Sequence, residues 1–411
     1  MLARSPAVEA SPLGGPFIAI AGLSARLFAQ SARRAGWRVA ALDRFGDRDT
    51  RAASQCWFDI GDAGLSIDRD RLVDALTRVA RLPKLIGWIG VGGVEPFVEE
   101  LSQRHGLPAY IGNPPHAIAA VREPRRFFAL LDELGIAHPA VSVTPPPAPE
   151  GWLYKRADGC GGVHVREAAH ALANGDAPTD GGAGYFQQRR PGRAMSALFV
   201  AARGDARVIG FSVQTSLAWG DMPFIHTGAI GPVDPPPSAV AQITEAIRAI
   251  AARTGLVGIN SFDFLFDDAT QHFEVLEINA RPSSTLAIYD HAWPQAWRHG
   301  LLAHHVEACV HDVLPPPGPL AADARMRVAH EVLFSPAAYV VGAAFSDACA
   351  QDAGCADVPM PGTRIATGDP VCTLVAHAQD LAALPEALAM QRERVLQRLS
   401  RYSEPAHVFA D

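Results

Sequence analysis

Residues 17–22, Phe-Ile-Ala-Ile-Ala-Gly, are a short apolar run ending in glycine. A helical spacing follows, with Leu27, Phe28 and Ala32 on one face and Gly36 as its stop. Trp37 to Asp43 then reads as a second strand ending in an acid. Apolar run, amphipathic helix and apolar run make a β-α-β unit, which dictates parallel strands. The pattern recurs as a helix over 65–81, a strand over 84–90, Gly92-Gly93, and a helix over 95–105. Residues 1–115 are therefore expected to form an open parallel α/β sheet. Gly22-x-Ser24-x-x-Leu27 opens like a dinucleotide fingerprint, and Asp43 ends the second strand as a ribose-binding acid would. The second and third glycines are missing, so close backbone approach to a pyrophosphate is lost. A plain strand–helix turn with a surface acid is the expectation.

Residues 116–135 contain a helix stopped by Gly135, and the proline-rich stretch Thr144–Pro149 is a stiff linker. A strand-rich unit runs from Gly151 to about residue 232, where Pro235–Pro237 follow. A helix is expected over 238–254, and strands over 256–266 and 272–279 flank the acidic turn Asp267-Asp268. Pro315–Pro317 separate a tail with strands near 326–334 and 370–376 and a helix over 380–400. No repeat of fixed period is present.

The hairpin carries the first chemistry. Side chains alternate along a strand, so Glu277 and Asn279 share a face, and Asp263 can face the same side from the partner strand. Two carboxylates and an amide oxygen on one face are hard ligands of the kind magnesium takes. Arg281 continues the alternation, where a guanidinium can meet a phosphate or carboxylate. A solvated polar edge accounts poorly for acids alternating with Leu276 and Ile278 beside Phe262, Phe264 and Phe266. The second element is a strand that delivers Lys155 into a loop holding Asp158, Gly159, Cys160, Gly161 and Gly162. Glycines let backbone N–H groups approach phosphate oxygens, and the lysine adds a point charge. Lys155 precedes the glycines, so this is not a Walker A loop.

Lys155 with its glycines, then Gln187-Gln188-Arg189-Arg190-Pro191-Gly192, then Asp263 and Glu277-x-Asn279-x-Arg281, resemble the ATP-grasp superfamily in order and spacing. The Glu-x-Asn-x-Arg form is similar to its biotin carboxylase branch. The resemblance implies an α/β protein of three parts. They are an amino-terminal parallel-sheet domain (1–115), a two-lobed α+β ATP-grasp domain (116–318) and a small carboxy-terminal subdomain (319–411). The glycine-loop lobe is expected at about 140–190 and the magnesium lobe at about 191–318. The resemblance further implies ATP and Mg2+ (or Mn2+) as cofactors. Lys155, Gly159, Gly161 and Gly162 would hold the phosphates, and Asp263, Glu277 and Asn279 the metal. Gln187, Gln188, Arg189 and Arg190 would form the segment between the lobes, reading adenine and ribose. The family usually has Gln-Glu where this chain has Gln187-Gln188. It also has an early phosphate-binding lysine, for which the candidates here are Arg125 and Arg126. Ser196 follows Gly192 as a serine often does in the family. His226, in Phe224–Pro232, is an acid/base beside the acceptor, a phosphate ligand or a structural histidine.

Composition narrows the partners. Hydrophobic residues are 48%, charged residues 19% and the net charge is -7, which fits a globular chain without a nucleic-acid face. The six cysteines show no C-x-x-C, and His304, His305 and His311 read as packing rather than a metal site. The first fifteen residues carry Glu9 and two prolines, a poor signal peptide, and no apolar run reaches membrane length. The expectation is a cytoplasmic enzyme of open oligomeric state, a homodimer being one option, acting on a small carboxylate and an amine, with ADP and phosphate released. A one-carbon cofactor pathway is suggested by resemblance alone. Bicarbonate activation and nucleotide binding without turnover stay open as alternatives.

Overall fold

The structure is a computed structural model that describes residues 14–157, 159, 161–177 and 184–405. Asp158 and Cys160 of the glycine loop, and the amino-terminal stretch with Glu9, lie outside the described residues.

The first domain has four parallel strands, β1 (Phe17–Ala21), β2 (Arg38–Asp43), β3 (Cys56–Asp59) and β4 (Leu85–Gly90), in the order β3-β2-β1-β4. Helices α1 (Arg26–Arg34), α2 (Arg48–Ala53), α3 (Arg69–Val79) and α4 (Val98–Gln103) cross between and follow them. Every residue of β1 is buried, as a strand covered on both faces requires. Asp43 is not the surface acid expected of it. It is fully buried and accepts hydrogen bonds from the backbone of Ala25 and Gly46 and from Trp57 Nε1, at 2.9, 2.9 and 2.7 Å. It ties the turn after β1 to the turn after β2, which leaves no role for it at a ribose.

The single helix expected within 116–135 is two, α5 (Pro115–Arg122) and α6 (Pro124–Leu134). Pro124 has no N–H to continue α5 and a φ suited to the first helical position, so it ends one helix and opens the next. Glu123 caps α6 by accepting from the backbone of Arg125 and Arg126, and Gly135 closes it in the left-handed conformation at φ 66°.

A small lobe follows, with β5 (Val141–Ser142), β6 (Trp152–Arg156), β7 (Val165–Glu167), α7 (Ala168–Ala173) and β8 (Gly184–Gln188), ordered β5-β8-β6-β7. Tyr154 and Phe186 point into its own core with Ala168 and Ala171 of α7. The alternate positions of the same strands pair Leu153 with Gln187 and Lys155 with Tyr185 on the opposite face.

The large sheet contains β9 (Arg193–Ala202), β10 (Asp205–Trp219), β11 (Met222–Val233), β12 (Gly258–Phe266) and β13 (Phe273–Asn279). Helix α8 (Pro237–Thr254) covers one face through Ile243, Ile247 and Ile250, against Phe199, Phe262 and Phe264. Each of these phenylalanines contributes roughly 2–3 kcal/mol by burial. Helices α9 (Leu286–Ala292) and α10 (Leu301–His311) cover the other face with Leu198, Val200 and Ala229. His305 is packing, as expected. It is fully buried, accepts from the Ile259 N–H at 2.9 Å and meets the Ile111 carbonyl at 3.1 Å.

The tail adds β14 (Arg327–Phe334), β15 (Tyr339–Val340), α11 (Ala343–Ala350), β16 (Cys355–Ala356), β17 (Arg364–Ile365), β18 (Pro370–Ala378), α12 (Leu384–Tyr402) and β19 (Glu404–Pro405). It continues the same sheet, in the order β13-β12-β9-β10-β11-β14-β18-β16. A partly buried ion pair fastens it to the first domain. Asp357 accepts from Arg26 at 2.8 and 3.0 Å, from Ser24 at 3.1 Å and from Thr373 at 2.6 Å. Among the described residues no helix is long and apolar enough to cross a membrane.

Candidate active site

The hairpin builds a face-to-face acid pair through an irregularity. Pairing runs Phe266 with Phe273, Leu265 with Glu274 and Phe264 with Val275, and the next pair would set Asp263 against Leu276. Instead the register shifts there, and Asp263 pairs with Glu277. A β-bulge at Leu276 thus turns Glu277 and Asn279 onto the face of Asp263. On the same face, Ser196 of β9 pairs with Asp263 and Ser212 of β10 with Ser196.

Asp263 is 7% exposed, and Ser196 Oγ donates to its Oδ1 at 2.6 Å. The hydroxyl that sequence reading left undecided therefore orients a carboxylate. Asn279 Nδ2 lies 3.0 Å from Asp263 Oδ2 and 3.3 Å from Glu277 Oε1, which closes the cluster. Burial first, and then Glu277, push the Asp263 carboxyl up to about 6, partly offset by Ser196 and Gln214. Lys155, 8% exposed, reaches this pair from β6. Its ammonium is lowered by burial, against the pull of Glu277 and Asp263.

Among the described residues no group of three or more His, Cys, Asp or Glu could hold a metal ion. The donor set is two carboxylates plus an amide, which suits a hard cation that keeps other oxygen ligands from phosphate or water. Glu277 raises the cost of ionising Asp263, which also fits a cation between the two carboxylates. At the lobe boundary the buried Gln187 Nε2 has no hydrogen-bond partner among the described residues, on the face that carries Lys155.

The glycine loop is docked onto β11. The Gly161 carbonyl accepts from the His226 N–H at 2.9 Å, and Gly162 sits at φ 77° with Phe224 so near that an added Cβ would lie 1.8 Å from its carbonyl oxygen. Gly159 is as tightly placed against His164. His226 is lowered to about 4 by burial and by Arg281, with Glu277 opposing. It is neutral at pH 7, a state that suits an acid/base or structural role and gives no charge–charge contact with a phosphate.

Not every expected residue reaches this place. Arg125 is exposed on the first turn of α6 and does not line the cavity that holds Gly159, Glu277 and Asn279. Arg122, at the end of α5, lines it, as do Arg156, His164 and Tyr185. Gln188 and Arg189 donate their N–H groups to the Ala140 and Gly151 carbonyls, both at 2.8 Å. The Arg189 and Arg190 side chains are exposed and pair with Glu167 and Glu274 at 3.0 and 3.3 Å. Sequence reading also missed Glu95, whose carboxylate ion-pairs with Arg281. Its only signal was an acid two residues after Gly92-Gly93.

A two-lobed grip, with a lysine and glycine loop on one lobe and an acid–amide cluster on the other, defines a nucleotide-grasping class of protein. Residues 125–285 match the family profile of the ATP-grasp domain. That stretch is an ATP-grasp domain, and the chain as a whole shares its fold with solved carboxylases and ligases. The biotin carboxylase domain of Hydrogenobacter thermophilus 2-oxoglutarate carboxylase, solved with MgADP, ADP and bicarbonate, is similar at TM-score 0.68 and 13% identity, over 95% of this chain and 90% of that one. An L-amino acid ligase from Bacillus licheniformis gives 0.63 and 12%, over 96% and 99%. The N5-carboxyaminoimidazole ribonucleotide synthetase of Thermotoga maritima gives 0.59 and 13%, over 92% and 98%. Identities this low establish the shared fold alone. No curated protein matches the sequence.

Proposed function

We propose that this chain is an ATP-dependent, ADP-forming ligase that activates a substrate carboxylate as an acylphosphate for attack by an amine. The observation that carries the reading is the bulge-registered pair Asp263–Glu277 beside the buried Lys155, under a docked glycine loop. Asp263, Glu277 and Asn279 would hold Mg2+ (or Mn2+), which supplies positive charge against phosphate oxygens. Lys155 offsets charge on the same oxygens, and Gly159, Gly161 and Gly162 cover them and exclude water. Arg281 steadies the anionic reactant. A carboxylate oxygen bonds to the γ-phosphorus as the bond to the β-phosphate oxygen breaks, and ADP leaves with the electron pair. The amine nitrogen then bonds to the acyl carbon, the acyl C–O bond breaks, and phosphate departs while the nitrogen gives up a proton.

Support for carboxylate activation comes from the shared fold of carboxylases and ligases that act on small molecules. The Glu277-x-Asn279-x-Arg281 form favours a second reading, in which bicarbonate is the activated carboxylate. ADP release from the full chain, measured against a panel of carboxylates, amines and bicarbonate, decides between them. The ligase reading expects release that needs both a carboxylate and an amine. Release driven by bicarbonate alone supports the second reading, and binding of MgATP without any release overturns both.

A further inference from the structure

The tail holds a thiol cluster that the active site does not use. Cys349 is next to last in α11, Cys355 opens β16 and Cys372 lies in β18. Antiparallel pairing sets Cys355 against Leu374, so Cys372, two residues from Leu374, is its diagonal neighbour on the same face. A tight turn brings Cys355 back to Cys349. The Asp352 N–H donates to the Cys349 carbonyl at 3.1 Å, and the Cys355 N–H to the Asp352 carbonyl at 3.0 Å. Cys349 and Cys372 are buried in the tail's core, whereas Cys355 is half-buried at its edge. Both buried thiols hydrogen-bond to the Cys355 sulfur.

A further donor is aimed at the same sulfur. Gln391 of α12 is buried and lies across Gly354, where an added Cβ would stand 2.7 Å from the Gln391 Cδ. Its Oε1 accepts from Arg394 Nη1 at 3.0 Å, which fixes the direction of the amide. Its Nε2 donates to Asp352 Oδ2 at 3.1 Å and to Cys355 Sγ at 3.3 Å. The charged groups around the cluster are Asp352 and Arg398, paired at 2.6 Å, Arg394 at 3.7 Å from Asp352, and Asp357 near Cys372. One sulfur thus accepts from two thiols and an amide. Cys349 first, then Cys372 and Gln391, hold the Cys355 thiol well below its usual range, against its burial and Asp352. A half-buried thiolate with a second thiol in contact is the arrangement that oxidants select.

We propose that Cys355 is an oxidation site, at which a hydroperoxide oxidises the sulfur and Cys349 closes a disulfide with it. The Cys355 thiolate bonds to one peroxide oxygen, the O–O bond breaks, and the other oxygen leaves with the electron pair and takes up a proton. From hydrogen peroxide it leaves as water. The Cys349 thiol then loses its proton, its sulfur bonds to the Cys355 sulfur, and the S–O bond breaks to release a second water. Two thiols give up two electrons, which the hydroperoxide takes, and a dithiol reductant reverses the link. Cys349 is the closing thiol because it sits at a helix end beside Arg398, which favours loss of its proton. Cys372 is fixed in a strand paired on both sides.

The test treats the folded full chain with hydrogen peroxide at pH 7 and follows each thiol by peptide mass. Cys56 is the internal control, since it is also half-buried but burial pushes its thiol up. The expected result is loss of the Cys355 thiol at least about tenfold faster than that of Cys56, because its larger thiolate fraction outweighs its lower intrinsic nucleophilicity. The Cys349 thiol disappears with it, a Cys349–Cys355 linked peptide two hydrogens lighter appears, and dithiothreitol restores both. In Cys349→Ser, dimedone traps Cys355 as its sulfenic acid. Equal rates for Cys355 and Cys56 overturn the proposal, as does a link from Cys355 to Cys372 or to a second chain, or a link that forms only in urea. If Cys349→Ser fails to fold, the rates and the link in the parent chain still decide. No readout involves nucleotide or substrate, so failure of the ligase reading leaves the test intact.

Discussion

At the scale of single residues, the acid pair carries two predictions. Glu277→Gln keeps the size and the hairpin pairing but removes one of the two carboxylates proposed to hold the metal. Turnover should fall by roughly 10²–10³ or more, with the melting temperature retained. Near-parental ADP release from that variant would remove Glu277 from the metal set. The second concerns pH. Asp263 is protonated below about 6 in the metal-free fold, because burial and Glu277 disfavour its charge. A proton and a cation compete for the same oxygens. Affinity for Mg2+ with ADP present should therefore drop as pH falls from 7 to 5, which calorimetry at fixed ionic strength measures. For the metal-free protein the sign runs the other way. A carboxyl raised above its unfolded value favours the fold at low pH, and that contribution is lost as pH rises through about 6.

The scale of elements explains what could be read in advance. The hairpin strands, α8 and the parallel strands β1, β2 and β4 were legible because their periodicity is local. Asp263, Glu277 and Asn279 were legible as residue types. The bulge at Leu276 was not, since strict alternation would have left Leu276 opposite Asp263. β3 was missed because Cys56–Asp59 is short and only partly covered. Arg125 and Arg126 were the candidates and Arg122 was passed over, because the break at Pro124 decides which arginine sits beside the cavity, and a one-helix reading hides that break. Glu95 was out of reach because its partner Arg281 lies 186 residues away. The glycine loop gives the prediction at this scale. Gly162→Ala places a methyl into Phe224 at a φ that L-residues rarely adopt, so the loop loses its seat on β11. ADP release should fall at least about tenfold while the unfolding midpoint in urea moves little, because the loop lies outside the main cores. A collapse of stability with activity intact would contradict the docking role.

For the whole molecule, the first domain and the tail are joined by charge rather than by a shared strand. Asp357 accepts four hydrogen bonds, two of them from Arg26, and is held below the usual carboxylate range mainly by that guanidinium, against its burial. Asp357 also has φ 51°, which asparagine tolerates. Asp357→Asn therefore preserves the backbone and shape but leaves Arg26 buried with a weakened partner. It should cost about 3 kcal/mol in urea unfolding, with the MgADP affinity little changed. A loss below about 0.5 kcal/mol would mean that Asp49, 3.5 Å from Arg26, is a sufficient partner.

The continuity of the large sheet has a consequence for how the chain is made. Residues Gly228–Gly231 of β11 pair on their outer side with Val328–Glu331 of β14. On a ribosome adding about 5–20 residues per second, that partner emerges roughly 5–20 s after β11. Until then the edge beside the nascent active site is an open row of backbone donors and acceptors, the kind of surface on which other chains template. The tail is in this sense the sheet's closing strand pair. A chain stopped before β14 would present that edge permanently, and its fate would be association with its neighbours rather than a smaller working enzyme.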